Sequence, residues 1–190
     1  SLAQPVDPYF YRNRLTMPKL VVNAVLDEFQ QPDDTHYWWN DMPEPKHFIM
    51  TPNAEHSEAT GILEIVPAIG SWIQHLIDPD FDNSKMPKFT WDINSETGEI
   101  TATLNEYGKV KEARVWWAYS CGNNVNEDGS VTKRRDFRMA NMDSPCECGV
   151  KVSGYCTNLK SFWKHETLKE QKIDGKGVYK AHVDAPEDGR

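Results

Sequence analysis

No apolar run in this 190-residue chain approaches the ~18 residues of a membrane span, so no spanning helix is expected. The opening Ser1-Leu-Ala-Gln-Pro-Val-Asp7 has neither the basic region nor the apolar core of a signal peptide. Basic charge is also short: 21 Lys and Arg against 29 Asp and Glu leave a formal net charge of -8. A nucleic-acid or anionic-membrane surface needs a basic stripe, and neither partner is expected. The single basic run, Lys133-Arg134-Arg135, is followed at once by Asp136 and reads as a solvated strand end. His36, His47, His75, His165 and His182 are scattered and show no H-E-x-x-H spacing, so no metal or other cofactor is expected. Internal repeats and low-complexity tracts are missing too. At 38% hydrophobic and 26% charged residues, the composition lies outside the disordered class.

Cysteine is scarce but clustered. Of Cys121, Cys146, Cys148 and Cys156, three fall in a turn-rich segment with Pro145, Gly149 and Gly154. Cys146 and Cys148 are too close in sequence to bridge each other easily. Two pairings remain: Cys121–Cys146 with Cys148–Cys156, or Cys121–Cys148 with Cys146–Cys156. Zinc is the rival reading, although C-x-C-x7-C is not the usual C-x2-C spacing. Two disulfides imply an oxidising compartment and a secreted or luminal protein.

The chain divides in character near residue 80. Before it, Tyr9 to Leu15 reads as a short helical or turn segment after the turn initiator Asp7-Pro8. Leu20–Leu26 is β-rich and apolar on both faces, as a central parallel strand must be, and Lys46–Thr51 is a second strand. Residues 33–41 suit a short helix capped by Asp33 or Asp34. From Ile62 to Ile77, apolar residues recur in steps of three and four, which predicts an amphipathic helix packed on a sheet. Pro67 must kink this helix or sit in its first turn. Asp80 to Pro87 reads as a linker. Beyond it, Lys88–Ile93, Glu99–Asn105, Ala113–Tyr119, Lys133–Met139 and Gly177–Asp184 are short strands separated by turns, the pattern of an antiparallel sandwich. The expected domains are therefore residues 1–80 and residues 81–190.

The chemistry concentrates in the first part. An apolar strand ends in Asp27, and the second strand leads into a turn carrying His56. In a Ser-His-Asp hydrolase of the α/β-hydrolase fold, the chain order is Ser, acid, His, with acid and histidine in loops at strand ends. Asp27 would orient the imidazole, and His56 would take and return the serine proton. Glu28 could replace Asp27, but a carboxylate at the strand end is better placed. Singly, each residue has a plainer reading: Asp is common in turns, and a histidine after a strand is more often at the surface. Their pairing in this order lifts them. Before Asp27 the hydroxyls are Ser1, Tyr9, Tyr11 and Thr16, and none lies in a G-x-S-x-G turn. The serine is therefore expected upstream of this chain, and the turn Pro186-Glu-Asp-Gly189 suggests a strand beyond the other end. The aromatics Tyr37-Trp38-Trp39 and Trp116-Trp117 could line a cleft, although aromatics more often belong to cores and interfaces.

Several strings resemble a known family: Asp7-Pro-Tyr-Phe-Tyr-Arg-Asn-Arg-Leu-Thr-Met-Pro-Lys-Leu20, Asn23-Ala with Asp27-Glu-Phe29 and Pro32-Asp33, Pro52-Asn-Ala with His56-Ser57, and Arg135-Asp-Phe-Arg138. They are similar to the PhoPQ-activated pathogenicity-related proteins, a family that includes autocrine proliferation repressors. The resemblance implies the C-terminal part of an α/β-hydrolase-like parallel sheet followed by an antiparallel β-rich domain, in exported proteins. It puts Asp27 and His56 on the acid and histidine of a triad whose serine sits in an upstream Gly-x-Ser-Lys-Arg-Gly type turn. The expected partners are the nucleophile-bearing half of the same protein, an ester or peptide substrate, or an extracellular protein. The alternative function is a non-catalytic extracellular signalling or binding role on the same scaffold.

Overall fold

The computed structural model of the protein describes residues 6–80, 88–121, 123–125, 127–133, 136–142 and 144–185. In chain order its strands are β1 (Lys19–Ala24), β2 (Lys46–Thr51), β3 (Phe89–Asn94), β4 (Glu99–Leu104), β5 (Ala113–Trp117), β6 (Asn123–Val125) and β7 (Val131–Lys133). They continue as β8 (Ala140–Asn141), β9 (Gly149–Val152), β10 (Tyr155–Asn158), β11 (Lys164–Leu168), β12 (Gln171–Ile173) and β13 (Lys176–His182). The α-helix among the described residues, α1, runs from Ile62 to Ile77. The chain folds into two units, Ser1–Asn83 with Phe137–Leu159 and Ser84–Asp136 with Lys160–Arg190.

In the first unit β1 and β2 pair in parallel, from Lys19 opposite Lys46 to Ala24 opposite Thr51. The entry to β1 is a 3-10 helix, Pro8–Arg14, whose first turn is set by proline and by the Asp7 side chain accepting from Tyr9 N–H at 2.9 Å. The crossover to β2 carries a second 3-10 helix, Pro32–Tyr37. Lysine ammonium groups anchor its far end: Lys46 Nζ donates to the carbonyls of Trp39 and Met42, both at 2.8 Å, and Lys19 Nζ donates to that of Pro43 at 2.7 Å. Trp39 meets the Phe48 ring at 5.4 Å. The short strands β8, β9 and β10 form an antiparallel sheet in the order β8-β10-β9, cross-linked by the Cys146–Cys156 disulfide. That bridge belongs to the second of the two pairings left open by spacing. All four cysteines are disulfide-bonded, which removes the zinc-thiolate reading.

The second unit is antiparallel throughout its described strands. Its largest sheet has the order β12-β13-β4-β3, beside the pairs β11-β5 and β6-β7. The β3–β4 hairpin turns on Asn94, whose side chain accepts from Glu96 and Thr97 N–H at 3.0 and 3.1 Å. Gly98 closes it at φ +74, where an added Cβ would lie 2.1 Å from the Val183 carbonyl oxygen. Among the described residues, Leu104, Val115, Val178, Tyr179 and Ala181 are buried apolar residues of this unit's strands.

The expected α/β-hydrolase-like parallel sheet is not what the chain forms. Parallel pairing is confined to β1 and β2, and every other described pairing is antiparallel. A parallel sheet of that class needs successive crossovers that cover both faces with helices, whereas this crossover holds a six-residue 3-10 helix. Lys19 to Asn23 are accordingly half-buried rather than enclosed. The apolar stripe of α1 is likewise only partly covered: Ile65 is buried and Ile69, Trp72 and Leu76 are half-buried, but Ile62, Val66, Ile73 and Ile77 are exposed. Two six-residue strands offer too little surface to cover four turns of helix. Pro67 lies inside α1 rather than in its first turn. Residues 134–135 of the basic run, most of the 80–87 linker and the 186–189 turn lie outside the described residues.

Candidate functional site at the end of the parallel pair

Beyond Ala24 the chain keeps following the second strand for two residues. Val25 N–H donates to the Thr51 carbonyl at 3.1 Å and Leu26 N–H to that of Ala54 at 2.9 Å. Val25 and Leu26 are buried, so the following residue emerges at a rigid point. That residue is Asp27, itself only 5% exposed. Its Oδ1 accepts from the N–H groups of Phe29 at 2.7 Å and Gln30 at 2.9 Å, a turn in which the side chain replaces a backbone acceptor. The carboxylate is thus fixed before any partner arrives.

The partner comes from the loop after β2. Asn53 and Glu58 both take left-handed backbone conformations, and Thr60 Oγ1 closes the loop onto the Asn53 carbonyl at 3.0 Å. Gly61 lets α1 start directly against the end of β2, because an added Cβ would stand 2.1 Å from Thr51 Cγ2. Between these fixed points His56 turns its ring to Asp27, with Nδ1 at 3.1 Å from both carboxylate oxygens. Glu28 holds the backbone instead, accepting from His56 N–H at 3.2 Å. Phe29 meets the imidazole edge-on, with ring centres 4.6 Å apart. Asp27 and His56 are therefore brought together, and Glu28 does not face the imidazole. The sequence reading missed the Glu28 and Phe29 contacts; their adjacency to Asp27 was the available signal.

A carboxylate can only accept, so Nδ1 must carry the proton and Nε2 becomes the nitrogen that can take one. The His56 side chain is 50% exposed while that of Asp27 is 6% exposed. This is a buried acid behind a half-exposed imidazole. The nearby Ser57 hydroxyl donates to Glu55 and holds that carboxyl below its usual range. Burial does the opposite to Glu58, pushing its carboxyl above the usual range. Trp116, by contrast, packs at a tilt against His165 with ring centres 4.3 Å apart, in the second unit. Among the described residues no three His, Cys, Asp or Glu side chains converge on a metal-sized point. None of the described helices is long and apolar enough to cross a membrane.

Comparison with known proteins adds the relationship. The family model described as PhoPQ-activated pathogenicity-related protein matches residues 1–138. Autocrine proliferation repressor protein A of Dictyostelium discoideum is 37% identical over 147 residues, which cover 73% of this chain and 27% of that protein. The chain corresponds to a minor part of that relative's length. No solved structure matches it. With most of its length matched, including both Asp27 and His56, the chain belongs to the PhoPQ-activated pathogenicity-related protein family.

Proposed function

We propose that Asp27 and His56 are the acid and histidine of a Ser-His-Asp triad for ester or peptide hydrolysis, with the serine on a part of the protein preceding these residues. One observation carries this reading: a buried carboxylate places both oxygens 3.1 Å from Nδ1 of a half-exposed imidazole. His56 Nε2 would take the serine proton as the hydroxyl attacks a carbonyl carbon, then return it to the leaving group. Asp27 would hold the productive tautomer and stabilise the imidazolium between those two steps. The length of the relative beyond the matched span leaves room for such a serine. Oxidised cysteines favour an exported protein, where disulfides persist. A fluorophosphonate probe on the folded full-length protein tests the reading. Labelling of one serine, lost in His56→Ala, is expected; no labelling of the wild type sinks it.

A second reading draws on the relative's name, a repressor of proliferation. On it the protein works by contact as an extracellular signal, without turnover. A biological effect that survives His56→Ala would favour this reading, and one that disappears from a folded variant would remove it.

A further inference from the structure

We infer that the cleft beside His56 binds the apolar acyl group of a neutral ester or amide substrate. The cleft is open to solvent and spans about 500 Å³ between the Asp27 turn and the 137–159 segment, a volume within the range of small-ligand sites. Glu28 and Phe29 line it; Glu28 accepts from the His56 backbone N–H and the Phe29 ring meets the imidazole, so Phe29 is the boundary that cleft and imidazole share. Met142 and Tyr155 line it from the 137–159 segment. Phe29 is 70% exposed, Met142 83% and Tyr155 54%, three large apolar side chains brought from separate segments to one opening. Such convergence around a concavity marks a binding site more often than a scattered surface residue does. The charged lining residues, Glu28 and Arg138, are opposite in sign and select no net charge on the ligand.

The 137–159 segment is built to hold its place. Met139 N–H donates to the Leu26 carbonyl at 2.8 Å, one residue before the acid. Asn158 N–H donates to the Met139 carbonyl at 2.8 Å, and β8 pairs with β10 through Asn141 opposite Cys156. Cys156 is then tied to Cys146. The cysteine-bearing sheet thus sets the distance from Tyr155 and Met142 to the Asp27–His56 pair. The inference rests on the acid–histidine reading for the position of the reacting bond, while occupancy of the cleft can be measured without turnover.

Two arms on the full-length protein separate the claims. In the first, kcat/KM is compared for 4-nitrophenyl octanoate and 4-nitrophenyl acetate. Each methylene buried is worth roughly fourfold, so even partial burial gives octanoate at least a tenfold advantage. Met142→Asp, at an exposed position, should cut that ratio by about tenfold. In the second arm, N-methyloctanamide is titrated calorimetrically into the His56→Ala protein, with saturable binding expected and weakened by Met142→Asp. Absence of saturable binding, indifference to Met142→Asp, or turnover without chain-length preference overturns the cleft assignment. Amide binding without turnover of either ester upholds the cleft and defeats the ester branch of the hydrolytic reading.

Discussion

Replacing Asp27 by Asn separates the electrostatic role of the acid from its structural one. The amide oxygen can still accept from Phe29 and Gln30 N–H, at the 2.7 and 2.9 Å positions now held by Oδ1. The amide nitrogen then occupies the other carboxylate position, 3.1 Å from His56 Nδ1. The retained Oδ1, also 3.1 Å from Nδ1, is already shared between two backbone N–H groups, and the amide N–H facing Nδ1 favours an imidazole that carries its proton on Nε2 or turns away. The cost in stability is small: with His56 half exposed, the pair contributes about 1 kcal/mol or less. The cost in reactivity is large, because an Nε2–H imidazole cannot accept a serine proton. In a hydrolytic triad that loss is about 10⁴-fold, or roughly 5.5 kcal/mol of barrier. The assay is the rate of fluorophosphonate labelling of the full-length protein, with long-range ¹⁵N correlation spectra reporting the His56 tautomer at alkaline pH. Asp27→Asn should show an Nε2-protonated ring, a melting temperature close to wild type, and labelling slowed at least a thousandfold. Labelling within tenfold of wild type in a folded Asp27→Asn protein would refute the reasoning, as would a wild-type ring unprotonated at Nδ1.

Three further predictions concern the surroundings of the pair. Burial raises the Glu58 carboxyl, and Thr51 Oγ1 and Glu58 Oε2 are both buried without a well-formed hydrogen bond, so the Thr51 hydroxyl is too poorly aligned to offset that burial. A raised folded-state value means that the charged form opposes folding: the penalty is absent below the ordinary value of 4.5 and develops as pH rises through the raised one. Glu58→Gln should therefore melt higher than wild type at pH 7, with the gap closing below pH 4.5; a gap of equal size at both pH values would count against this account. Cys146 and Cys156 are separated by 10 residues, a loop whose closure is worth about 2.5–3 kcal/mol in the chain-entropy model. The double serine variant should lose that much in denaturant titrations of the oxidised protein, and no loss would show that the sheet holds without the bond. Gly61→Ala drives a Cβ against Thr51 Cγ2 and should destabilise by about 1–3 kcal/mol. Adding Thr51→Ser removes that methyl and should restore most of the loss in thermal melts.

The local elements were legible because their signals are local. Apolar residues in steps of three and four located α1 at Ile62–Ile77, and the run Lys46–Thr51 is β2 as observed. An acid at one strand end and a histidine after the next were visible as neighbours-to-be, since adjacent parallel strands bring their C-terminal ends together. The fold class was not legible. An apolar strand such as Leu20–Leu26 has the same composition whether it lies within a large parallel sheet or pairs with one neighbour, and here its β1 portion is only half-buried. Nor does periodicity say how much surface waits to cover an amphipathic stripe, which is why α1 is expected to be packed yet is only partly covered.

By itself, then, the sequence picked out Asp27 and His56 as a pair, located the helix and strands β1 to β5 and β13, and offered four cysteines for oxidation, but it missed β6 to β12. The sequence preferred Asp27 to Glu28 for its place at the strand end, and tertiary structure gave the reason that Asp27 faces the imidazole: the turn it makes with Phe29 and Gln30 N–H sends adjacent side chains apart. Tertiary structure alone decided that Met139 returns to the carbonyl of Leu26 and builds a wall beside His56. Contacts across more than a hundred residues depend on chain closure and on which surfaces are left to bury, and neither is written in the pattern of near neighbours.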